Sequence, residues 1–390
     1  MPAPAGETRP APAAEVDLEM GGNPEPVPTS RYLLEQLLLD TGIGTALDDA
    51  GVRVYGWTQG SYTASSTRAS NAPTVFNDRD DEFVLGQNWI EIVRPIDPTR
   101  NEFQLGGRVA LIAPGYDYKY TLARGLWNGQ NSRHGFDSVY AYAEAFVPGV
   151  GPNGTTFRVG RWATSIGWEM IEAVATPFVT RSYNFTANPY THTGIQATTE
   201  LSRSVVMYHG LVTGADVAFD PAATLGYVGG IKWTATDGAD TVAANVFVTG
   251  EGFDDRESFQ HYDSYNVVWT HVLTDDWTCT FDATLGRAPD TDPLGVAAGR
   301  AAQWYGVAGY LAHPLVDHLT LNLRGECFRD DDGVRTGTAG NYLAVTVGVQ
   351  YEPTPWLWLR PFARYDDGGD AAFEADGHMF SGGLEAIARW

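Results

Sequence analysis

Residues Asn341 to Tyr351 alternate strictly between two kinds of side chain. The odd positions read Leu343, Val345, Val347, Val349 and Tyr351, and the even ones Tyr342, Ala344, Thr346, Gly348 and Gln350. Successive side chains of a strand point to opposite faces, so this segment is a ribbon with one apolar face and one small or polar face. Leu319, Leu321, Leu323 and Cys327 repeat the pattern, as do Trp277, Cys279, Phe281, Ala283 and Leu285. Carried along the chain, the period predicts strands near 52–64, 82–93, 103–112, 136–147, 155–164, 193–202, 204–213 and 224–236. Eight more follow near 242–251, 259–273, 277–288, 301–312, 318–329, 341–351, 357–366 and 378–390. The 82–93 strand fits least well, because Gln87 and Glu91 share a parity with Phe83, Leu85 and Trp89.

Before residue 51 the pattern is different. Met1 to Ser30 is a Pro-, Ala- and acid-rich lead, and Ser30 is placed to cap a short helix striped by Leu33, Leu34, Leu37 and Leu38. That pattern decays at Thr41-Gly42-Ile43-Gly44. The expected division is 1–50 for lead and helix, with the strands in 51–390.

The gaps between strands alternate in length. Thr274-Asp275-Asp276, His313–Asp317 and Glu352–Trp356 are short, whereas Ser65–Asp81, Ala113–Gly135, Ser165–His192 and Asp367–Gly377 are long. Short turns at one end and long loops at the other predict an all-β, antiparallel up-and-down transmembrane barrel of about 16 strands. At that size a closed barrel leaves an aqueous channel. Acidic runs fall in the long loops, at Asp78 to Glu82, Asp254-Asp255, Asp330 to Asp332 and Asp366 to Asp370. They read as solvating charge, since none has the spacing of a calcium-binding loop.

Composition then narrows the class. The net charge of −23 argues against a nucleic-acid partner. No apolar run is long enough for a spanning helix, which leaves spanning strands open. The non-apolar face holds Gly, Thr, Asn, Arg and Glu and almost no lysine, which suits a wet lumen better than a solvent-facing sheet. Trp233, Trp269, Trp277, Tyr351, Trp356 and Tyr365 gather near strand ends, as interfacial girdles require. The chain ends on Trp390, in a strand alternating Phe380, Gly382, Leu384, Ala386 and Ala388, the form of an outer-membrane assembly signal. Outer-membrane lipid and the barrel-assembly machinery are therefore the expected partners, and a homo-oligomer is compatible with the pattern. Cys279 and Cys327 fall on strands separated by a third, too far for a disulfide, and read as two small buried hydrophobes.

The segment Ser165–Gly194 carries Gly167-Trp168-Glu169, then Ser182-Tyr183, then Pro189 to Gly194. In this order these elements resemble the beta-barrel porins of the OmpL-like group, and the resemblance extends from about Val54 to Trp390. It implies an outer-membrane pore of a diderm bacterium, whose solutes the family leaves mostly undefined; the leading reading is a passive diffusion channel for ions and small hydrophilic solutes, with no catalysis and no cofactor expected. A secretory leader is not visible in the chain.

Read from its residues alone, Ser165–His192 is too long and too apolar for an ordinary connection. It is expected to fold into the barrel and narrow it, with Trp168, Glu169, Glu172, Ser182, Tyr183 and His192 at the constriction; an external cap is the alternative. Strand parity assigns Arg108, Arg158, Lys232, Arg324, Arg360 and Arg364 to the inner wall, with Glu144, Asp282, Glu326 and Asp366 as its acids. The eight histidines show no ligand spacing and no metal is expected, and no serine nucleophile motif is present. Two rival readings remain: a structural or adhesive barrel with an occluded lumen, and a soluble all-β carbohydrate-binding or hydrolytic protein.

Overall fold

The computed structural model describes residues 28, 30–67, 70–127, 130–219, 225–249, 262–274, 276–288, 301–369 and 372–390. Two short helices, α1 (Leu33–Leu38) and α2 (Gly42–Ala50), precede the strands. The strands begin with β1 Arg53–Ser65, β2 Glu82–Arg94, β3 Gln104–Gly115 and β4 Gly135–Val147. Then come β5 Thr155–Ala163, β6 Thr191–Ser202, β7 Val205–Val212 and β8 Gly226–Thr234. The second half is β9 Asp240–Val248, β10 Asp263–Thr274, β11 Trp277–Ala288 and β12 Ala302–Val316. It ends with β13 Leu319–Asp330, β14 Gly340–Thr354, β15 Leu357–Asp367 and β16 His378–Arg389. Each pairs antiparallel with its sequence neighbours, and β1 pairs with β16 to close the barrel. Closure leaves no unpaired edge, which hydrocarbon would not tolerate.

The apolar face points outward. Val345, Leu343 and Val347 are exposed, whereas Thr346 between them is fully buried. The C-terminal residue completes the closure: Trp390 and Gly56 exchange both backbone hydrogen bonds at 2.8 Å, and the Trp390 indole donates to Thr58 Oγ1 at 3.1 Å.

Four sequence expectations are corrected. In β2, the register slips so that Gln59 faces Gln87 while Gly60 faces Leu85, leaving Gly86 as an extra residue. A bulge of one residue inverts side-chain parity. Phe83 therefore points outward while Gln87, Trp89 and Glu91 point inward and are buried. At the N-terminus the α1 cap is Tyr32, whose backbone N–H donates to Glu35 Oε2 at 3.1 Å. That helix buries Tyr32 and Glu35 rather than its leucine stripe, and Leu37 is exposed. The segment where the stripe decays forms α2 instead, with Thr41 capping Gly44. Cys279 is buried as expected, but Cys327 is exposed on the outward face, because in a membrane barrel the apolar face is the outside.

The fourth correction concerns the acidic runs. Asp330 is fully buried and accepts the backbone N–H groups of Val334, Arg335 and Thr336 at 2.7–3.1 Å, so it organises its loop. Asp254-Asp255 and Asp370 lie outside the described residues.

Candidate functional site

The segment between β5 and β6 enters the barrel. Trp168 apart, the residues expected at the constriction (Glu169, Glu172, Ser182, Tyr183 and His192) are all buried, and the Trp168 ring lies 4.2 Å from that of Tyr310 on β12. Such burial needs partners for every polar group. The segment finds them on three sides of the lumen.

One wall is β13 and β15. In the ladder Arg324 faces Thr346, which faces Arg364; one step along, Glu326 faces Ala344, which faces Asp366. Small residues on β14 leave room for the long side chains to lean together. Arg324 pairs with Glu326 at 3.2 Å and Arg364 with Asp366 at 2.6 Å and Glu326 at 3.1 Å. The loop is added to this lattice. Glu169 accepts from Arg324 at 2.7 Å, and the Thr180 and Arg181 carbonyls accept from Arg324 and Arg364 at 2.9 and 3.0 Å. The Tyr183 backbone N–H donates to Glu326 and its hydroxyl to Asp366, each at 2.7 Å. Nearby, Arg360 holds Glu385 at 2.7 Å and donates to the Ala173 carbonyl at 2.9 Å and to that of Thr176.

A second wall is β2 to β4. Glu172 accepts from the Tyr140 hydroxyl at 2.7 Å and from Arg108 at 3.5 Å, while Arg108 also pairs with Glu91 at 2.8 Å. Gln87 uses both ends of its amide: its NH2 donates to the Ile171 carbonyl at 2.8 Å, and its oxygen accepts from Ala173 N–H at 3.0 Å. Burial raises the Glu172 carboxyl, and the Arg108 guanidinium opposes that shift.

A third side, β10 and β11, binds the loop mainly through neutral groups. Gly167 N–H donates to Asn266 at 3.1 Å and Trp168 N–H to Asp282 at 3.0 Å. The helical turn Tyr183–Ala187 presents Asn184, which donates to the Asp282 carbonyl at 2.8 Å. Ser182 caps that turn by accepting from Phe185 N–H at 3.1 Å.

The end of the loop is clamped from above. Asp216, in the β7–β8 connection, accepts from Thr191 N–H at 2.7 Å and from Tyr190 N–H at 3.2 Å. Burial pushes its carboxyl up to about 6 even so. Asp117, just after β3, accepts from Gln87 at 3.0 Å and is pushed up to about 7, again by burial. His192 lies at the start of β6 between Thr164 Oγ1 at 3.0 Å and the Gly214 carbonyl at 3.2 Å, a hydrogen-bonded structural position.

Arg158 and Glu144 form a separate buried pair at 3.3 Å, with the guanidinium 4.1 Å above the Tyr142 ring. Lys232, on β8, is only half buried and stands away from both arginine groups. The structure thus brings together Arg324, Arg360, Arg364, Glu326, Asp366, Glu169 and Tyr183 on one side and Arg108 with Glu172 on the other.

Sequence reasoning missed several members. Glu91 and Gln87 were hidden by the bulge, for which the isolated Gly86 was the available signal. Arg161 pairs with Asp137 at 2.9 Å although simple parity turns it outward; Gly160 before it has φ +132°. Glu385 was legible, since it shares a parity with Ser381 and Ile387, both fully buried. Arg181 carries no strand period to betray it. Among the described residues no cluster has the composition of a metal site.

The sequence matches, over residues 51–388, the family described as "Putative beta-barrel porin-2, OmpL-like". No curated protein matches the chain. Among solved structures, the outer membrane channel DcaP of Acinetobacter baumannii superposes with a TM-score of 0.57 at 12% identity, over 87% of this chain and 97% of that one. OmpT of Vibrio cholerae, described as a trimer form, gives a TM-score of 0.55 at 12% identity, over 87% of this chain and 99% of that one. At such identities the likeness is one of fold.

Proposed function

The chain belongs to the OmpL-like family of beta-barrel porins and is a porin of the bacterial outer membrane; from that premise we propose that its channel is set by the segment Ser165–His192. The observation that carries this reading is that the loop is bonded across the lumen, to Asp282 on β11 and to Arg108 on β3, which stand half the barrel apart, and between them to Arg324 and Arg364. A loop held across the lumen leaves only narrow paths, so the solutes are ions and small hydrophilic molecules and the conductance is low. Their passage needs no catalyst, and the paired charges serve to shape the path. Arg158, Lys232, Glu144 and Asp282 complete the wall of that path.

Single-channel recording in planar bilayers tests it. Shortening the loop between Glu172 and Ser182 is expected to raise conductance while the barrel remains folded. A folded deletion with unchanged conductance would return the loop to the role of a cap. A wild type that never conducts would favour the occluded, structural reading, for which the same cross-lumen bonding is the supporting observation.

By analogy with the trimer form of OmpT, the chain also assembles with copies of itself. Trp390, with its backbone in the β1–β16 seam, is the element presented to the assembly machinery.

A further inference from the structure

We propose that the lumen holds a binding site for neutral sugars, on the inner wall of β10 to β14 beside Trp168. The inference rests on the channel proposed above and names a class of solute it takes. The charge of the wall, a collar of aromatic rings and an unpartnered donor carry it.

The inner wall is divided by charge. Glu91, Arg108, Glu144 and Arg158 lie on it along β2 to β5, and Arg360 and Glu385 along β15 and β16. On β10 to β14 the charged inward residues stop at Asp282 and Arg324. From there toward the short turns the inward positions include Thr270, Thr278, Thr280, Tyr310, Asn322 and Gln350. Among the described residues the next inward charge on these strands is Glu352, near the end of β14. The ladder sets the neutral groups side by side: Thr280 faces Tyr310, and Thr278 faces Ala312, which faces Asn322. Hydroxyls and amides both donate and accept, so they match a rim of sugar hydroxyls in either direction. An ion entering this arc meets no countercharge, and shedding its water there is costly.

The collar lies at the upper edge of the arc. Trp168, carried in by the constriction loop, has its ring 4.2 Å from that of Tyr310 on β12. Phe178, from the same loop, clusters with Phe362 on β15. It also closes on β14, where a Cβ added at Gly348 would stand 3.1 Å from the Phe178 ring. Trp168 against β12 and Phe178 against β14 leave β13, with Asn322, between them. Tyr310, Phe178 and Phe362 are buried and Trp168 is half-buried, so the face a solute reaches is that of Trp168. One face of a pyranose ring is a row of C–H bonds and its rim is hydroxyl. A single molecule therefore uses both the aromatic face and the neutral polar wall.

The donor is the Trp168 indole N–H. It is buried without a hydrogen-bond partner among the described residues, whereas the backbone N–H of the same residue donates to Asp282 at 3.0 Å. A buried donor left unpaired costs free energy, and an acceptor oxygen beside the ring satisfies it. A sugar hydroxyl supplies that acceptor without bringing a charge into the arc.

The test uses the full chain in planar bilayers, with the ion current titrated by cellobiose. The wild-type current is expected to fall to a plateau as the sugar saturates one site. A polyethylene glycol of equal hydrated radius, which has no ring face, is expected to lower the current without saturation, and glucuronate to bind less tightly than glucose. Each variant is read against its own open current. Trp168→Ala is expected to weaken cellobiose binding about tenfold, with Trp168→Phe keeping part of it. Asn322→Ala, outside the loop, is expected to weaken it as well and serves where a Trp168 variant does not fold. A conducting wild type without saturation, or folded variants that bind cellobiose as the wild type does, overturns the site and leaves the channel standing. Glucuronate binding tighter than glucose overturns the neutral class. A wild type that never conducts overturns the channel and the site together.

Discussion

At the scale of single residues, Gly86 decides which way half of β2 faces. In an unbroken strand Phe83 and Glu91 would share a face; with the bulge Phe83 points outward and Glu91 points inward, where it reaches Arg108 at 2.8 Å. Parity alone could not find this, because a strand period has no memory of an inserted residue. Where no insertion intervened, as from Arg324 to Glu326 or Arg360 to Arg364, the sequence already showed which charges shared the inner face. What it could not show was that they would be buried rather than wet, since that depends on the loop brought from far along the chain. Arg324 illustrates the consequence. Its side chain is fully buried and serves Glu169, Glu326, Thr180 and Thr346. Arg324→Ala leaves Glu169 buried without its cation, and breaking a buried pair in this way costs about 3–5 kcal/mol. Removing both charges, as Arg324→Met with Glu169→Met, is expected to recover part of that loss, because Glu326 keeps Arg364 at 3.1 Å. Denaturant unfolding of the refolded barrel would measure both; a double variant no better than the single one would mean that packing, not charge, holds the loop there.

At the scale of elements, the strands were legible because each repeats one period for about ten residues, and the loop was legible only as an anomaly. Its length and its Trp168, Phe178, Tyr183 and Phe185 said that it must be buried, but no periodicity said against what. Its attachments are dispersed over the chain, from Gln87 to Asp366. The clamp at its end has a consequence that titration can read. Asp216 is half-buried, and desolvation pushes its carboxyl up to about 6 from an unfolded value of about 3.9. Between those values the folded chain holds a proton that the unfolded chain has released. Stability from this group is therefore fully present below about pH 4 and is lost as pH rises through about 6. Asp216→Asn cannot ionise, so it is expected to gain on the wild type as pH rises from 4 to 7. Unfolding midpoints for the two proteins across that range would show it. A difference that stays constant with pH would mean that the carboxylate charge is compensated in the fold.

At the scale of the whole molecule, composition and architecture point in different directions. A net charge of −23 suggests a channel that prefers cations. Much of that acid, however, lies in the N-terminal lead and the long loops, where salt screens it over about 8–10 Å. Selectivity is decided where the path is narrow, by fixed charges at close range. There most of the acid is paired: Glu169 and Glu326 share Arg324, Asp366 has Arg364, Glu385 has Arg360, and Glu172 and Glu91 share Arg108, so six acids meet four arginines and these groups carry an excess of two negative charges against −23 for the whole chain. A matched pair presents a short dipole rather than a net charge, and its field decays much faster with distance. Weak selectivity follows, with a reversal potential close to zero in a KCl gradient. Replacing a single member exposes what the pairing conceals. Arg360→Ala leaves Glu385 without its partner, and Lys232→Ala removes the half-buried cation of β8, so each is expected to move the reversal potential toward cations. Arg360→Ala together with Glu385→Ala should return it near the wild-type value, since that removes the pair as a unit. A strongly cation-selective wild type, or an Arg360→Ala channel of normal conductance with no shift, would mean that ions take a path these arginines do not face.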